Sequence, residues 1–147
     1  MSRTVSYKRN LVFIDTSAWI MLMNQDETRH REAVKTYNER LINSAKATSN
    51  LVVSETYTWL RMRTSFKNAL DFLTAIRQMQ EDELLTIIWS NNRLEEKAIK
   101  YLQKYRDHKL SFVDAVSFAL MAELKIKDTF SFDRHFNIAG FATINSL

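Results

Sequence analysis

Short apolar runs alternate along this chain with longer segments whose apolar residues recur every three or four positions. The first run, residues 11–14, is apolar throughout and is typical of a strand buried in the middle of a parallel sheet. Residues 84–89, 129–132 and 141–144 predict further strands, and residues 46–48 predict the second strand in chain order. This alternation predicts an α/β fold, in which about five mostly parallel strands form a central sheet with helices on both faces.

The segments between these strands have helical spacing. We predict helices over residues 17–23, 28–42, 51–63, 91–106 and 111–124, and one more helix that ends near residue 80. Short polar side chains before the later helices predict their N-caps. The predicted caps are Ser49 or Asn50 for the third helix, Thr64 or Ser65 for the fourth, Ser90 for the fifth and Ser111 for the sixth.

Length and residue usage exclude several classes of protein. A chain of 147 residues with 46% hydrophobic residues is long enough for one domain with its own core. The absence of cysteine excludes a disulfide scaffold, thiolate metal ligands and a cysteine nucleophile, and it fits a reducing cytoplasm. Gly140 is the one glycine, so neither common glycine-rich phosphate loop is present. No apolar run approaches the roughly 20 residues that span a bilayer.

The basic charge is concentrated at the start of the chain. The net charge is +4, and Arg3, Lys8 and Arg9 lie within ten residues that contain no acid. The remaining 18 basic and 17 acidic residues nearly balance, at +1. We therefore predict a basic, flexible tail over residues 1–10 and a single domain over residues 11–147. The net charge alone is weak evidence for a nucleic-acid partner.

Four acids adjoin apolar runs rather than charged helix faces: Asp15, Glu55, Asp114 and Asp133. Asp15 and Asp133 follow predicted strands, whereas Glu55 and Asp114 lie early in predicted helices. Carboxyl ends of parallel strands and the N-termini of the following helices lie at one edge of a sheet, so we expect the four side chains to converge. Each acid also has a structural alternative. Asp15 or Thr16 could cap the first helix, Glu55 could complement a helix dipole, Asp114 could complete a capping box, and Asp133 could cap a short turn.

Convergence of these acids predicts a cation site. Four carboxylates at one edge cannot all stay ionised without a counter-charge. Oxygen ligands without Cys or His favour a hard divalent cation, Mg²⁺ or Mn²⁺. Such sites commonly serve phosphoryl chemistry, in which one or two cations activate a water and stabilise the leaving oxygen of an in-line displacement. The acids therefore predict hydrolysis of a phosphate ester.

Four segments resemble motifs of the PIN-domain family, and in particular the VapC-type toxins of bacterial toxin–antitoxin pairs. They are Asp-Thr-Ser-Ala at 15–18, Glu55 early in a helix, Ser-Phe-Val-Asp-Ala-Val-Ser-Phe-Ala-Leu-Met at 111–121, and Thr-Phe-Ser-Phe-Asp-Arg-His-Phe at 129–136. The resemblance extends roughly from residue 11 to the end, and the last two motifs are the more specific. The long basic tail and the lack of a glycine near the second strand depart from the family pattern, but neither affects the four acids.

The resemblance implies a PIN-like three-layer α/β/α sandwich and a metal-dependent endoribonuclease that hydrolyses RNA. Asp15, Glu55, Asp114 and Asp133 are then the predicted catalytic and metal-binding residues, with Mg²⁺ or Mn²⁺ as the cofactor. Asp133 is preferred to Asp128, because Asp128 would begin the fourth strand at the opposite edge of the sheet. The resemblance also implies a cognate antitoxin and a homodimer. The lack of cysteine favours a cytoplasmic location, and the lack of a bilayer-spanning run argues against a membrane partner.

Hydroxyl and basic side chains complete the predicted site. The resemblance assigns supporting roles to Thr16 and Ser131, which leaves Ser17 as the predicted cap of the first helix. Basic residues could follow the RNA backbone as point charges. The candidate RNA contacts are Arg61, Arg63, Lys67, Arg134 and His135.

Two other functions remain open from the sequence. A PIN-like fold could serve as a non-catalytic binding or regulatory module, although the intact set of four acids argues against this. An aspartyl-phosphate phosphotransferase would use Asp15 as its nucleophile. That chemistry would need a second aspartate two residues later, where this chain has Ser17.

Overall fold

The computed structural model describes residues 11–145, and the predicted basic tail over residues 1–10 lies outside the described residues. No helix within this range is long and apolar enough to cross a membrane. Five strands and seven helices alternate along the described chain, in the order β1 (Val12–Ile14), α1 (Thr16–Met23), α2 (His30–Thr36), β2 (Lys46–Ser49), α3 (Asn50–Arg63), α4 (Phe66–Glu81), β3 (Leu85–Ile88), α5 (Asn92–Lys104), α6 (Phe112–Glu123), β4 (Asp128–Phe130), α7 (His135–Ile138) and β5 (Ala142–Thr143).

All five strands are parallel and lie in the order β3-β2-β1-β4-β5. The register pairs Phe13 of β1 with Ala47 of β2 on one side and with Thr129 of β4 on the other. Phe13 is fully buried, as expected for a central strand that helices cover on both faces. The strand order reverses between β1 and β4, and the usual ligand crevice of an open α/β sheet lies at such a reversal.

Helices cover the two faces of the sheet in two groups. The chain crosses the sheet in one direction from β1 to β3 and in the other direction from β3 to β5. Right-handed crossovers therefore put α1 to α4 on one face and α5 to α7 on the other. Accordingly, α1 contacts α2 and α3, α3 contacts α4, and α5 packs along α6. The predicted three-layer α/β/α sandwich is thereby confirmed. Trp19 packs edge-on against Phe72 at 5.6 Å, and Phe118 packs edge-on against Phe136 at 4.9 Å.

All five predicted strands are confirmed, and the largest correction concerns the end of β4. The prediction over residues 129–132 put Asp133 directly at the end of the strand. The observed strand ends at Phe130, because its pairing with β1 stops where Ile14 faces Phe130. The chain then turns at Ser131, whose hydroxyl oxygen accepts a hydrogen bond from the Asp133 N–H at 3.0 Å. Asp133 consequently lies in the loop before α7.

Two predicted helix caps are wrong. Asp15, not Ser17, caps α1, because its carboxylate accepts from the Ser17 N–H at 3.4 Å and Ser17 already lies in the first helical turn. Asn91 rather than Ser90 caps α5, since its side-chain oxygen accepts from the Leu94 N–H at 2.9 Å. Three other helices begin after predicted caps, namely Ser49 for α3, Ser65 for α4 and Ser111 for α6.

The helix predicted over residues 28–42 differs in form from the prediction. α2 continues into a π-helical turn over Tyr37–Leu41, which side-chain periodicity cannot distinguish from an α-helix over so few residues. Lys46 is buried at the start of β2 and donates hydrogen bonds to the carbonyl oxygens of Leu41 and Ser44, both at 2.7 Å. The end of this helical segment is therefore tied to the amino end of the sheet.

Candidate active site

Asp15 stands at the carboxyl end of β1, and only 2% of its surface is exposed. Its Oδ2 accepts hydrogen bonds from the Ser17 hydroxyl at 2.8 Å and from the Ser131 hydroxyl at 2.9 Å. The Ser17 hydroxyl oxygen in turn accepts from the Phe132 N–H at 2.9 Å. One carboxylate oxygen is thus held by hydroxyl groups from two distant parts of the chain.

The other oxygen, Asp15 Oδ1, is buried and forms no hydrogen bond with any residue in the range 11–145. A buried carboxylate oxygen without a partner costs free energy, and native structures contain few of them. A cation beside Oδ1 would remove that cost, so the orphaned oxygen fits the predicted cation site. The hydroxyl of Thr16, which was predicted to support the site, is also buried and makes no hydrogen bond to the described residues.

Asp114 lies in the first turn of α6 and takes part in a capping box. The Ser111 hydroxyl oxygen accepts from the Asp114 N–H at 3.0 Å, and Asp114 Oδ2 accepts from the Ser111 N–H at 3.4 Å. The structural alternative predicted for this residue, a capping box, is therefore confirmed. The capping box fixes the carboxylate at a helix N-terminus, where the dipole favours negative charge.

Asp133 lies in the loop after β4, beside both Asp114 and His135. Its Oδ1 accepts from the His135 N–H at 2.9 Å, and the ring nitrogen His135 Nδ1 lies 2.9 Å from the same oxygen. Asp114, Asp133 and His135 each offer one potential ligand atom, and these three atoms lie within 4.8 Å of one another. This group combines two carboxylates and an imidazole.

Glu55 is half-buried on α3, outside this tight group but close enough for its charge to act on Asp114. It lines a cavity of about 380 Å³ together with Trp59, Met62 and Arg63. The Arg63 guanidinium lies 5.2 Å from the centre of the Trp59 ring. An acid, an aromatic ring and a basic group therefore share a cavity next to the main cluster.

Burial and repulsion raise the pKa values of two of these acids. Burial raises the pKa of Asp15 to about 6, although hydrogen bonds from two hydroxyl groups oppose the shift and repulsion from Asp133 adds to it. Burial and, after it, the charges of Asp15, Asp133 and Glu55 together raise the pKa of Asp114 to about 7. The other three predicted acids therefore all lie close enough to act on Asp114.

The structure brings in two residues whose place at the acids was not predicted from the sequence. Ser17 was assigned to a helix cap, but its hydroxyl binds Asp15 Oδ2 and approaches the Ser131 hydroxyl to 3.2 Å. His135 was assigned to RNA contact, but its ring lies among the acids. The position of Ser17 two residues after Asp15 could have indicated the first contact, because an aspartate commonly accepts a hydrogen bond from the backbone two residues later and so brings that residue's side chain near.

The other candidate RNA contacts lie on exposed surfaces. Arg61 and Arg63 are exposed near the end of α3, and Lys67 is exposed at the start of α4. Lys67 forms an ion pair with Asp71 at 2.8 Å. Arg134 is exposed in the loop that carries Asp133. The basic groups therefore lie on two parts of the chain, one on α3 and α4 and one on the loop before α7.

A family model described as PIN domain matches residues 12–142 of this chain. Over 134 residues the chain is 31% identical to VapC20 of Mycobacterium tuberculosis, named a 23S rRNA-specific endonuclease, and the match covers 91% of this chain and 98% of the relative. The same identity is found for VapC20 from a second strain of that organism.

Solved structures show the same fold. The crystal structure of Mycobacterium tuberculosis VapC20, described as a sarcin-ricin loop cleaving toxin, has a TM-score of 0.80 and 33% identity and covers 89% of this chain and 96% of its own. VapBC2 from Rickettsia felis, bound to a DNA fragment from their promoter, has a TM-score of 0.65 at 10% identity over 90% of this chain and 96% of its own, which shows the fold alone. Family model, sequence and structure agree that this chain belongs to the PIN-domain family and is similar to its VapC members over most of its length.

Proposed function

We propose that this chain is an endoribonuclease that depends on Mg²⁺ or Mn²⁺ and acts as the toxin of a VapC-type toxin–antitoxin pair. The observation that carries the proposal is the convergence of four acids at the carboxyl end of the sheet, beside a buried carboxylate oxygen without a partner. The similarity to an rRNA-specific endonuclease supports it and makes ribosomal RNA the first substrate class to test.

Asp15, Asp114 and Asp133, with Glu55 beside them, are the residues that would hold the cation. When bound, a divalent cation would supply activation of the attacking water and charge neutralisation at the leaving oxygen. The protein groups prepare this site. Two hydroxyls orient Asp15, the capping box orients Asp114, and the turn before α7 orients Asp133. Ligands fixed in this way lose little freedom when the cation and the RNA bind.

Exposed basic residues on α3 and on the loop before α7 are the proposed RNA contacts. Arg61 and Arg63 would follow the backbone along α3, and Arg134 would reach the phosphate nearest the acids. Lys67 is the weaker candidate, because its ammonium group is already paired with Asp71. Such contacts position the substrate without reading its bases.

An antitoxin and a second copy of the chain are the proposed protein partners. Exposed apolar side chains on α3 and α4, including Met62, Phe66 and Leu70, offer a surface that an antitoxin segment could cover. The chain would act in the cytoplasm, where its RNA substrate and its antitoxin are both made.

The direct experiment is RNA cleavage by the purified chain in Mg²⁺, Mn²⁺ or EDTA. Cleavage should require a divalent cation and should be lost in Asp15→Asn and Asp114→Asn. Asp128→Asn is the matched control, because Asp128 is an exposed acid at the opposite end of the sheet. Cleavage that persists in EDTA and in both site variants would overturn the proposed mechanism. Calorimetric titration without RNA separates the nuclease from a non-catalytic PIN-like module, which need not bind a divalent cation.

A further inference from the structure

We infer that His135 is a nitrogen ligand of the cation at this site and that the site therefore binds Mn²⁺ in preference to Mg²⁺. The inference rests on the proposed cation site and adds one residue to it. It assigns His135 to the cation rather than to an RNA phosphate.

The first support is the distance between two potential ligand atoms. His135 Nδ1 lies 2.9 Å from Asp133 Oδ1. In an octahedral site with bonds of about 2.1 Å, adjacent ligand atoms lie about 3.0 Å apart. The observed separation therefore matches one edge of a coordination octahedron. A ligand oxygen of Asp114 also lies within 4.8 Å of the corresponding atoms of Asp133 and His135.

The second support is the state of that ring nitrogen. Nδ1 is buried and makes no hydrogen bond to the described residues, although a carboxylate oxygen is near. His135 Nδ1 and Asp133 Oδ1 are as close as two hydrogen-bonded atoms, but the angles between them are not those of a hydrogen bond. Asp15 Oδ1 is likewise buried without a partner, and the charges of Asp15 and Asp133 repel each other. The carboxyl end of β1 and the start of α7 thus each present a buried oxygen or nitrogen atom that has no hydrogen-bond partner among the described residues.

The third support is that the imidazole is held in position from several sides. The His135 N–H donates to Asp133 Oδ1 at 2.9 Å, which fixes the backbone at the start of α7. The ring meets the His108 ring edge-on at 5.8 Å, and 19% of the His135 side chain is exposed. A side chain this enclosed is poorly placed to follow an RNA backbone, whereas the neighbouring Arg134 is exposed.

An imidazole changes which cation the site prefers. Oxygen ligands suit both Mg²⁺ and Mn²⁺, but Mg²⁺ loses its water reluctantly, whereas Mn²⁺ belongs to the first-row transition series, whose members accept nitrogen ligands more readily. Replacing one oxygen by nitrogen should therefore raise the affinity for Mn²⁺ more than that for Mg²⁺. The four acids set the charge of the site, and His135 sets its selectivity.

The test uses pulsed electron paramagnetic resonance of Mn²⁺ bound to the full chain, which detects a directly bound nitrogen. Wild-type protein should show nitrogen modulation that changes when histidine is labelled with ¹⁵N. His135→Gln should lose the modulation. His108→Gln is the matched control and should keep it, because His108 packs against His135 without joining the ligand group.

Two binding measurements complete the test. Calorimetry should show that His135→Gln weakens Mn²⁺ binding by about tenfold or more and Mg²⁺ binding by less, so that the ratio of the two affinities falls. Anisotropy of labelled RNA in EDTA should show unchanged binding by His135→Gln and weaker binding by Arg134→Gln.

Each adverse result has a distinct meaning. Wild-type protein that binds Mn²⁺ without ¹⁵N-sensitive modulation would overturn the role of His135 and leave the nuclease proposal standing. The ¹⁵N comparison needs no variant, so this outcome holds even if His135→Gln fails to fold. Loss of RNA binding in EDTA without nitrogen modulation would assign His135 to phosphate contact instead. Wild-type protein that binds no divalent cation would overturn the cation site itself.

Discussion

At the amino end of the sheet, Lys46 is buried and its ammonium group donates to two carbonyl oxygens at 2.7 Å. At the carboxyl end, Asp15 is equally buried, yet one of its oxygens has no partner among the described residues. Burial lowers the pKa of Lys46 to about 8, so the ammonium group is still mostly charged at neutral pH. Burial raises the pKa of Asp15 to about 6.

The difference separates a structural charge from a functional one. The carbonyl oxygens at the end of the π-helical turn satisfy Lys46 from within the chain, as expected for a cation at a helix C-terminus. The acids at the other end repel one another, and no basic group of residues 11–145 lowers the pKa of Asp15 or Asp114. Within the described part of the chain, the charge at the amino end is therefore satisfied, whereas the acids at the carboxyl end are not neutralised. A divalent cation is the simplest candidate for their counter-charge.

The strongest test of this contrast removes charge at each end in turn. Asp15→Asn or Asp114→Asn should lower RNA cleavage by at least about 100-fold, because even outer partners of metal ligands are worth roughly 10–100-fold. Asn caps helices as well as Asp does, so α1 should remain intact in Asp15→Asn. Asp128→Asn, at the amino end, should cleave at the wild-type rate. Equal losses in all three variants would contradict a site confined to one end of the sheet.

The stability of the metal-free protein should fall as the pH rises from about 4 to about 7. The folded-state pKa values of Asp15 and Asp114 are raised above 3.8, so the folded chain holds more protons than the unfolded chain across this range. For Asp15 alone the loss is on the order of 3 kcal/mol, at about 1.4 kcal/mol per pKa unit. Thermal unfolding measured across this range should show the loss without a cation, and saturating Mn²⁺ should largely remove it. The same pH profile with and without Mn²⁺ would contradict the explanation.

Lys46→Met should destabilise the fold and leave the chemistry unchanged. The substitution leaves the carbonyl oxygens of Leu41 and Ser44 without their donor, at a cost of about 2 kcal/mol in the free energy of unfolding. Urea denaturation measures this change, and Lys67→Met is the control, because an exposed lysine pair contributes little. Cleavage per folded molecule should match that of the wild type. A catalytic loss in folded Lys46→Met would mean that the two ends of the sheet are coupled.

The smallest effect is expected from Ser131→Ala. The Ser131 hydroxyl donates to Asp15 Oδ2 and accepts from the Asp133 N–H. Its removal therefore takes one orienting hydrogen bond from each of these two residues. Calorimetry should show Mn²⁺ binding weakened by about tenfold, the lower end of the range for partners that orient metal ligands. Ser44→Ala, at the amino end, should bind Mn²⁺ as tightly as the wild type. Unchanged binding in Ser131→Ala would mean that the hydroxyl does not position the acids.

The order of the elements and the convergence of the acids could be predicted from the sequence because both follow from local pattern and topology. Apolar runs identify the strands, and a parallel sheet brings their carboxyl ends together whatever the details of the loops. Asp133 reaches the site although β4 ends earlier than predicted, since the turn at Ser131 redirects the chain.

Long-range contacts could not be predicted in the same way. Ser17 and Ser131 meet across 114 positions of the chain, and no local pattern marks that pair. The place of His135 depends on how the loop after β4 turns beside α6. The burial of Lys46 depends on a π-helical turn that has the same apolar spacing as an α-helix over that length. All three features depend on tertiary packing, and the first two refine the site.

The hydrogen bond from Ser131 to Asp15 joins residues 116 positions apart. During synthesis, Asp15 therefore leaves the ribosome long before the strand and loop that complete its surroundings. A chain that stops before β4 lacks Asp133 and Ser131 and leaves one edge of β1 unpaired. Under the proposed function, activity would therefore arise only when almost the whole chain has been made and folded, and prematurely terminated products would not attack the RNA of the cell that makes them.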